Sequence, residues 1–318
     1  MDASARIYVA GRATLIGSAI LRLLDHQGFV GVVDDQEPHF GDRADVDSFF
    51  DRVRPEYVFV TAGATAGIAG NQTFPADLMV DNLSIAHHVI PAAWRSGAKK
   101  LVYLASSCIY PKHAPQPLHV SSLWTGPLEP TSAAYAVAKL AGMTLCAAYR
   151  QQHGTSFVSA IGADTYGPGD DFHPDNAHVV GALVARIHDA KIAGAPCVSV
   201  WGTGTPRREF IYVDDLADAC IVALRDYEGR DPINLGIGVT TSIAELAETI
   251  REVVGYRGEL RFDPSKPDGT PFKGLDSTVL HEMGWRARWD LVSGLRRTYD
   301  WFLRTNAPRQ AHAADRQP

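Results

Sequence analysis

The fold is indicated most clearly by the stretch Arg6-Ile7-Tyr8-Val9-Ala10-Gly11-Arg12-Ala13-Thr14-Leu15-Ile16-Gly17. An apolar run over residues 6–10 is followed by a glycine turn and then by an amphipathic segment over residues 15–26. This order is typical of the strand–turn–helix unit that opens a nucleotide-binding sheet. The sequence therefore predicts a parallel sheet whose first strand begins at residue 6.

The same alternation of strands and helices continues to about residue 165. Further predicted strands cover residues 29–33, 57–62, 100–105 and 156–161, and the helical patterns between them cover 43–53, 76–96 and 131–152. Strands that alternate with helices form parallel sheets covered on both faces. We therefore predict an α/β fold: a doubly wound, Rossmann-like parallel sheet with a smaller C-terminal substrate domain.

The pattern changes after residue 165. A loop rich in Gly, Pro and Asp leads into shorter strands and helices, which include predicted helices at 177–191, 213–226, 242–255 and 291–304 and strands near 198–201, 208–212 and 232–235. We assign the sheet domain to residues 1–165, with return segments at about 205–235, and the substrate domain to residues 166–204 and 236–305. Residues 306–318 are expected to be disordered, because they are rich in Ala, Arg, Gln and Pro.

Composition narrows the class of protein. The chain has 318 residues, with 36 acidic and 30 basic side chains and a net charge of −6. This mildly acidic balance does not favour nucleic acid or anionic lipid as a partner. No apolar run approaches the roughly 18 residues of a membrane span, and the first residues do not resemble a signal peptide. The four cysteines form no CxxC spacing. We therefore predict a cytoplasmic protein that binds neither membrane nor nucleic acid.

A tyrosine and a lysine four residues apart form a candidate acid–base pair. Tyr135 and Lys139 share one face of a predicted helix that begins near Thr131. An ammonium group near a phenol lowers the phenol pKa from about 10 and makes it a usable acid–base group. Ser106 and Cys108 follow the strand at 100–105, at the edge of the sheet where ligands bind.

Several longer strings resemble a known family. They are Ser106-Ser107-Cys108-Ile109-Tyr110-Pro111-Lys112, Thr125-Gly126-Pro127-Leu128-Glu129-Pro130-Thr131, residues 135–142, Trp201-Gly202-Thr203-Gly204-Thr205-Pro206-Arg207-Arg208-Glu209-Phe210 and Ser265-Lys266-Pro267-Asp268-Gly269-Thr270-Pro271. From residue 5 to 305 the chain resembles the extended short-chain dehydrogenase/reductases. Within them it resembles the GDP-L-fucose synthases, which are GDP-4-keto-6-deoxymannose epimerase-reductases.

The resemblance implies specific roles. The reductase triad would be Ser106, Tyr135 and Lys139, with the tyrosine as proton donor to the C4 keto oxygen. The pair that moves protons at the carbons beside the ketone would be Cys108 and His178. The residues that hold the GDP-sugar would be Arg186, Trp201, Arg208 and Asp268; a guanidinium suits a diphosphate and an indole suits a base or sugar face. The resemblance also implies a homodimer through the helices at 76–96 and 131–152.

Four segments near the expected cofactor depart from the family pattern. The glycine turn keeps Gly11 and Gly17, but Thr14 replaces the middle glycine, and Ala13 stands where the family has an arginine for the 2′-phosphate of NADP. Asp34-Asp35 follow the second predicted strand; they would repel a 2′-phosphate, although one carboxylate could bond a free ribose hydroxyl. The remaining departures are the segments 64–67 and 162–165, the second of which brings Asp164.

These departures leave three functional hypotheses. We favour a non-redox GDP-hexose isomerase or mutase without a productive nicotinamide cofactor. Its reaction would be epimerisation, or pyranose–furanose interconversion of a GDP-L-sugar such as GDP-L-galactose or GDP-L-fucose. The alternative is a GDP-L-fucose synthase that uses NAD(P)H and prefers NADH. The third is a GDP-sugar-binding regulator without catalysis, which the retained acid–base groups disfavour.

An acidic loop gives one further hypothesis. Asp170, Asp171, His173 and Asp175 cluster before His178. Hard cations prefer oxygen ligands, so this cluster suggests Mg²⁺ or Mn²⁺ beside the diphosphate. The competing interpretation is a solvated acidic loop without a metal.

Overall fold

The computed structural model describes residues 1–173 and 177–314. Its strands are β1 (Ile7–Ala10), β2 (Tyr57–Val60), β3 (Lys100–Ser106), β4 (Ser156–Gly162), β5 (Asp164–Tyr166), β6 (Cys197–Trp201), β7 (Arg207–Arg208), β8 (Phe210–Tyr212), β9 (Ile233–Leu235), β10 (Thr241–Ser242), β11 (Glu259–Asp263) and β12 (Phe272–Lys273). Its α-helices are α1 (Leu15–His26), α2 (Arg43–Val53), α3 (Ile68–Thr73), α4 (Pro75–Arg95), α5 (Ala133–His153), α6 (Val179–Ala193), α7 (Val213–Asp226), α8 (Ile243–Val254), α9 (Thr278–Glu282) and α10 (Leu291–Ala314).

A five-stranded parallel sheet forms the centre of the molecule, in the order β1-β2-β3-β4-β9. Every residue of β1 is buried, as expected for a strand covered on both faces. Helices α1 and α7 pack together in one layer, and α4 packs with α2 and α5 in another. This arrangement confirms the predicted α/β class with a doubly wound parallel sheet.

The remaining strands form small sheets that carry the rest of the site. Strand β5 pairs with β8, β6 pairs with β11, and β7 lies between β10 and β12. The division into two domains at the predicted boundaries stays a prediction. Within residues 1–173 and 177–314, no helix combines the length and apolar content that a membrane span needs.

Two predicted elements differ in the structure. The strand predicted at 29–33 is reduced to a single bridge between Val32 and Ile7, because the amide of Val30 donates to the carbonyl oxygen of Ala3 at 2.8 Å and not to the sheet. Helix α10 continues to Ala314, past the predicted start of a disordered tail at residue 306. Alanine, arginine and glutamine are good helix formers, so the composition of this segment also suits a helix.

Candidate active site

A cavity of about 410 Å³ lies at the carboxyl ends of the central strands. All nine predicted catalytic and substrate-binding residues line it: Ser106, Cys108, Tyr135, Lys139, His178, Arg186, Trp201, Arg208 and Asp268. They come from β3, α5, α6, β6, β7 and the loop before β12, so the fold gathers segments that are far apart in the sequence. The cavity also has Asp164 and Asp170 in its wall.

Helix α5 positions Tyr135 and Lys139 on one face, as the spacing predicts. The Lys139 Nζ donates to the carbonyl oxygen of Leu104 at 3.3 Å and lies 5.9 Å from the centroid of the Tyr135 ring. Ser106, the last residue of β3, brings its hydroxyl to the same phenol. The three groups therefore converge at the end of the third strand of the sheet.

The lysine does not lower the pKa of the phenol here, contrary to our expectation. Burial raises the pKa of Tyr135 well above its usual value, and electrostatic interactions with Cys108 and Asp164 act in the same direction. Hydrogen bonds from Thr65 and Ser106 oppose this rise. Burial also lowers the pKa of Lys139 to about 8. Desolvation of both groups therefore outweighs the attraction between them.

His178 and Cys108 line the cavity from two different segments of the chain. His178 immediately precedes α6, and its Nε2 lies 3.2 Å from the Thr65 Oγ1. Burial lowers the pKa of His178, and the nearby carboxylate of Asp164 partly offsets that effect. Cys108 sits in the short 3-10 turn Ser107–Ile109, with its Sγ 3.9 Å from the Nζ of Lys273.

A buried charge cluster links the sheet to the small β-strands. The Asp164 Oδ1 lies 2.7 Å from the Lys273 Nζ, and its Oδ2 lies 3.8 Å from the Arg208 Nε. Burial alone would raise the pKa of Asp164, but the two cations outweigh it and hold that pKa below its usual value. Asp164, which we predicted as a cofactor-binding residue in the segment 162–165, thus pairs with two cations beside Cys108, and its contact with a cofactor stays a prediction. Lys273 was missed, although it lies two residues after a family-like string.

The predicted GDP-sugar residues contact one another. The guanidinium of Arg186 lies 4.8 Å from the ring centroid of Trp201, and the ammonium of Lys266 lies 5.4 Å from it. One side chain, Asp268, has a mainly local role, because its carboxylate accepts hydrogen bonds from the Thr203 amide and hydroxyl at 2.8 and 2.9 Å. The arginines thus provide positive charge on the substrate side of the cavity.

The glycine turn keeps a tight bend at Gly11 although Thr14 replaces the middle glycine of the family pattern. Gly11 has a φ of +89°, and a Cβ on it would collide with the backbone of Ala62. Thr14 is accommodated because its hydroxyl folds back, donating to the Gly11 carbonyl at 2.7 Å and accepting from the Gly17 amide at 3.0 Å. It therefore caps α1, and Leu15 and Ile16 of the first turn of α1 line the cavity. A helix N-terminus of this kind suits a diphosphate.

Several charged side chains surround the glycine turn at Gly11 and Arg12. The carboxylate of Glu37 accepts from the Gly11 amide at 2.7 Å and from the Arg12 amide at 3.3 Å. Arg12 is ion-paired with Asp34 and donates to the Asp35 carbonyl at 3.0 Å. The carboxylates that we expected to repel a 2′-phosphate are thus partly neutralised. Neither Arg12 nor Glu37 was identified from the sequence, because their contacts depend on how this turn folds.

The acidic loop forms a turn in the structure. The Asp170 carboxylate accepts from the Asp171 amide, and the Asp171 carboxylate accepts from the His173 amide, both at 2.9 Å. Asp175 lies outside the described residues. In the part of the chain that the structure describes, no three His, Cys, Asp or Glu side chains form a metal-binding group. Because Asp175 is one of the four proposed ligands, the Mg²⁺ or Mn²⁺ site at this loop stays a prediction.

Comparisons with known proteins agree with this geometry. Residues 7–238 match the model of the "NAD dependent epimerase/dehydratase family". The chain is 50% identical over 305 residues to "GDP-L-fucose synthase 1" of Arabidopsis thaliana, covering 95% of this chain and 94% of that protein. Among solved structures, it matches a GDP-mannoheptose C4 reductase from Campylobacter jejuni with NADP bound (TM-score 0.86, 32% identity, 95% and 99% of the two chains). It also matches a GDP-L-fucose synthetase from Naegleria fowleri bound to NADP (TM-score 0.88, 25% identity, 97% and 96% of the two chains).

These matches confirm the resemblance drawn from the sequence and correct one prediction. The prediction that no nicotinamide cofactor binds productively is wrong, because two similar structures hold NADP. One part of its physical basis fails as well, because Thr14 caps α1 where we expected it to disturb the turn. The isomerase or mutase hypothesis has no support among the relatives, which favour the epimerase-reductase alternative.

Proposed function

The chain belongs to the NAD-dependent epimerase/dehydratase family, and from this premise we propose that it is an epimerase-reductase of the GDP-L-fucose synthase type. The proposed substrate is a GDP-4-keto-6-deoxyhexose, and the proposed reductant is NADPH or NADH. The observation that carries the proposal is that one cavity joins a reductase pair with an epimerisation pair. These four side chains are Tyr135, Lys139, Cys108 and His178.

Reduction is assigned to Tyr135 and Lys139. The buried phenol has a raised pKa, so it carries its proton at neutral pH and can give it to the keto oxygen. A bound nicotinamide dinucleotide supplies the hydride. The ammonium of Lys139, held by the Leu104 carbonyl, places positive charge near the phenolate that remains.

Epimerisation is assigned to Cys108 and His178. Because burial lowers the pKa of His178, its imidazole is neutral at pH 7 and can accept a proton from a carbon beside the ketone. Cys108 would return a proton from the other side, and the ammonium of Lys273 places positive charge 3.9 Å from its sulfur. This exchange leaves an extra proton on His178 and removes one from Cys108, so both groups are restored when His178 gives a proton to water and Cys108 takes one from water; no redox change occurs.

The substrate side of the cavity suits a nucleoside diphosphate. Arg186 and Arg208 both line it, and guanidinium groups bind diphosphates through paired charge-assisted hydrogen bonds. Trp201 offers an aromatic face flanked by two cations. We therefore assign this side to the GDP group and the region near Tyr135 to the sugar ring.

The preference for NADH over NADPH stays a prediction. Three carboxylates, on Asp34, Asp35 and Glu37, surround the end of the glycine turn. Two arginines pair with two of them: Arg12 with Asp34, and Arg52 with Asp35 at 3.3 Å. The remaining negative charge of Glu37 favours a free ribose hydroxyl over a phosphate.

The test is turnover of GDP-4-keto-6-deoxymannose with each dinucleotide. Absorbance at the reduced-nicotinamide band should fall in proportion to product, whose configuration at three carbons is then read by NMR. Tyr135→Phe should lower kcat at least about 100-fold, because the proton donor is lost. The matched control is Tyr149→Phe on the same helix, whose ring packs against Trp94. If the wild-type protein oxidises neither dinucleotide, the proposed function is wrong.

We also propose a homodimer through α4 and α5. These helices pack together within the chain and leave Val80 and Val137 60% and 41% exposed. Light scattering on the eluted protein tests this point: a mass near 34.5 kDa would contradict it, and twice that mass would support it.

A further inference from the structure

The ammonium group of Lys273 lies within reach of three acceptors beside the proposed epimerisation residue Cys108. Its Nζ donates to the Asp164 Oδ1 at 2.7 Å and to the Ser107 Oγ at 3.3 Å. The same nitrogen lies 3.9 Å from the Cys108 Sγ, which can accept the third N–H. An ammonium group has three donors and no acceptor, so these contacts can satisfy it fully. Lys273 therefore connects the carboxylate of Asp164 to the sulfur of Cys108.

The fold holds Lys273 in this position from both sides. Strand β12 pairs with β7 so that Lys273 lies opposite Arg208, and opposite residues of paired strands project from the same face. The side-chain amide of Gln116 donates to the Phe272 carbonyl at 3.0 Å and accepts from the Gly274 amide at 3.1 Å. These bonds fix the backbone before and after Lys273, whose side chain is 12% exposed. The ammonium group therefore has little freedom to turn away from its acceptors.

We propose that Asp164 is a positioning residue that controls the protonation of Cys108 through Lys273. The inference rests on the proposed epimerisation. In that step a C–H bond forms at a carbon beside the ketone, the S–H bond of Cys108 breaks, and its electron pair stays on sulfur as a thiolate. The charge of Lys273 stabilises this thiolate, and the counter-charge of Asp164 limits the stabilisation. Cys108 thus holds its proton before the step and regains one from water after it.

The two cations next to Asp164 make its charge important. The Asp164 carboxylate lies between Lys273, 2.7 Å from its Nζ, and Arg208, 3.8 Å from its Nε. Both cationic side chains are about nine-tenths buried, so water screens them weakly. Without the carboxylate, the charge of Lys273 would act on the sulfur with less opposition. The fraction of Cys108 present as thiolate should then increase.

Other titratable groups around Cys108 do not replace this counter-charge. Tyr135 and His178 are uncharged at pH 7, because burial raises the pKa of the phenol and lowers the pKa of the imidazole. Lys139 is directed at the Leu104 carbonyl, 3.3 Å away. Among the described residues, the other three carboxylates that line the cavity have partners of their own, which are Lys112 for Glu129, the Thr203 amide for Asp268 and the Asp171 amide for Asp170.

The first experiment measures how fast iodoacetamide alkylates Cys108, with the modified peptide quantified by mass spectrometry. The thiolate is the reactive form, so the rate reports the fraction of Cys108 that has lost its proton. Asp164→Asn keeps the shape and an acceptor for Lys273 but removes the charge. At pH 7 it should raise the rate about tenfold, and the midpoint of the rate against pH should fall by about one pH unit. Cys197, which is also partly exposed, is the internal control and should react at an unchanged rate.

A double-mutant cycle tests whether Asp164 acts through Lys273. Lys273→Met removes the ammonium group and should slow the alkylation of Cys108. In that background Asp164→Asn should change the rate by about twofold or less, because only Arg208 remains to be freed from the carboxylate. Thermal unfolding verifies that each variant is folded.

Deuterium exchange connects the ion pair to the proposed reaction. In D₂O without a reduced dinucleotide, GDP-4-keto-6-deoxymannose should take up deuterium at the carbons beside the ketone, which mass spectrometry detects. In Asp164→Asn the fall of this exchange at high pH should begin about one pH unit lower than in wild type, as in the alkylation profile. A purely structural role of Asp164 would lower the exchange equally at every pH.

The outcomes separate this inference from the proposed function. A wild-type protein that neither exchanges deuterium nor oxidises a dinucleotide would overturn the proposed function, while the alkylation rates still decide whether Asp164 controls Cys108. The inference itself is overturned in any of three cases: Cys108 of Asp164→Asn reacts at the wild-type rate, the rate rises equally with and without Lys273, or the exchange profile of an active protein does not move with the alkylation profile.

Discussion

Replacing Asp164 by asparagine should destabilise the protein by about 2 kcal/mol, because it leaves two buried cations without their counter-charge. Distances of 2.7 Å to Lys273 and 3.8 Å to Arg208 correspond to about 6 and about 4 kcal/mol of attraction at an effective dielectric constant of about 20. Most of this gain is offset by the cost of burying the three charges. Breaking a fully buried pair costs about 3–5 kcal/mol. Asp164 is 29% exposed, so we take a lower figure.

Calorimetry measures this effect directly. For a chain of 318 residues, a loss of about 2 kcal/mol lowers Tm by about 3 °C, given an unfolding entropy of about 2.1 cal/mol/K per residue. The matched control is Asp34→Asn, which also removes one carboxylate charge from an ion pair with an arginine. Its side chain is 90% exposed, so its Tm should stay within about 1 °C of wild type.

The pH dependence gives the same prediction a second test. The folded pKa of Asp164 is lowered from its ordinary value of 3.8, so its stabilising contribution is complete above that value. It is lost only as the pH falls through the lower, folded-state pKa. The Tm difference between wild type and Asp164→Asn should therefore be constant from pH 8 to pH 5. A difference that disappears within that range, or a variant as stable as wild type at pH 7, would show that Asp164 does not stabilise the two cations.

Two further predictions concern ligand binding. Asp34→Asn frees Arg12 from its ion pair and removes a negative charge, so the ratio of NADPH to NADH affinity should rise severalfold in calorimetric titrations; an unchanged ratio would show that this turn does not contact the ribose. Arg186→Ala should weaken GDP binding about tenfold, which corresponds to one charged hydrogen bond, whereas Arg22→Ala, paired with Asp214 outside the cavity, should leave it unchanged. Equal affinities for the two arginine variants would contradict the assignment of the GDP side.

Local signals predicted the helices that pack on the central sheet. Helices α1, α2 and α7 begin and end at the predicted residues. Side chains cap two of them, Thr14 on α1 and Asp42 on α2, through hydrogen bonds to residues two or three positions on. The periodic apolar residues that predict each helix also lie within that helix's own stretch of sequence. Short-range information therefore fixes both the existence and the ends of these elements.

The short strands could not be predicted in the same way. Strands β7, β10 and β12 have two residues each and exist because they pair with one another across the chain. A two-residue segment is too short to show the alternation of apolar and polar residues that predicts a strand. The opposite error occurred at 29–33, where an apolar run predicts a strand but only Val32 pairs with the sheet. Pairing partners, and not composition, decide these elements.

The candidate active site could also be predicted only in part, because some of its residues are recognised only by their partners in the fold. The family-like strings identified Tyr135 and His178, which line the cavity. They did not identify Thr65 or Lys273, whose partners lie 113 and 109 residues away in the sequence. A hydroxyl or an ammonium group on a loop has no pattern of its own. Its role appears only when the fold places it beside its partner.

The main error of interpretation was the prediction that no nicotinamide cofactor binds productively, and this error has a physical cause. Departures in four segments around the cofactor suggested a lost function, because each replaced residue was judged by the role of the residue it replaced. In the structure the new side chains make contacts of their own. Thr14 caps α1, Asp164 binds Lys273, and Thr65 bonds to His178. A missing glycine or arginine is evidence of loss only when nothing nearby restores the shape or charge that it provided.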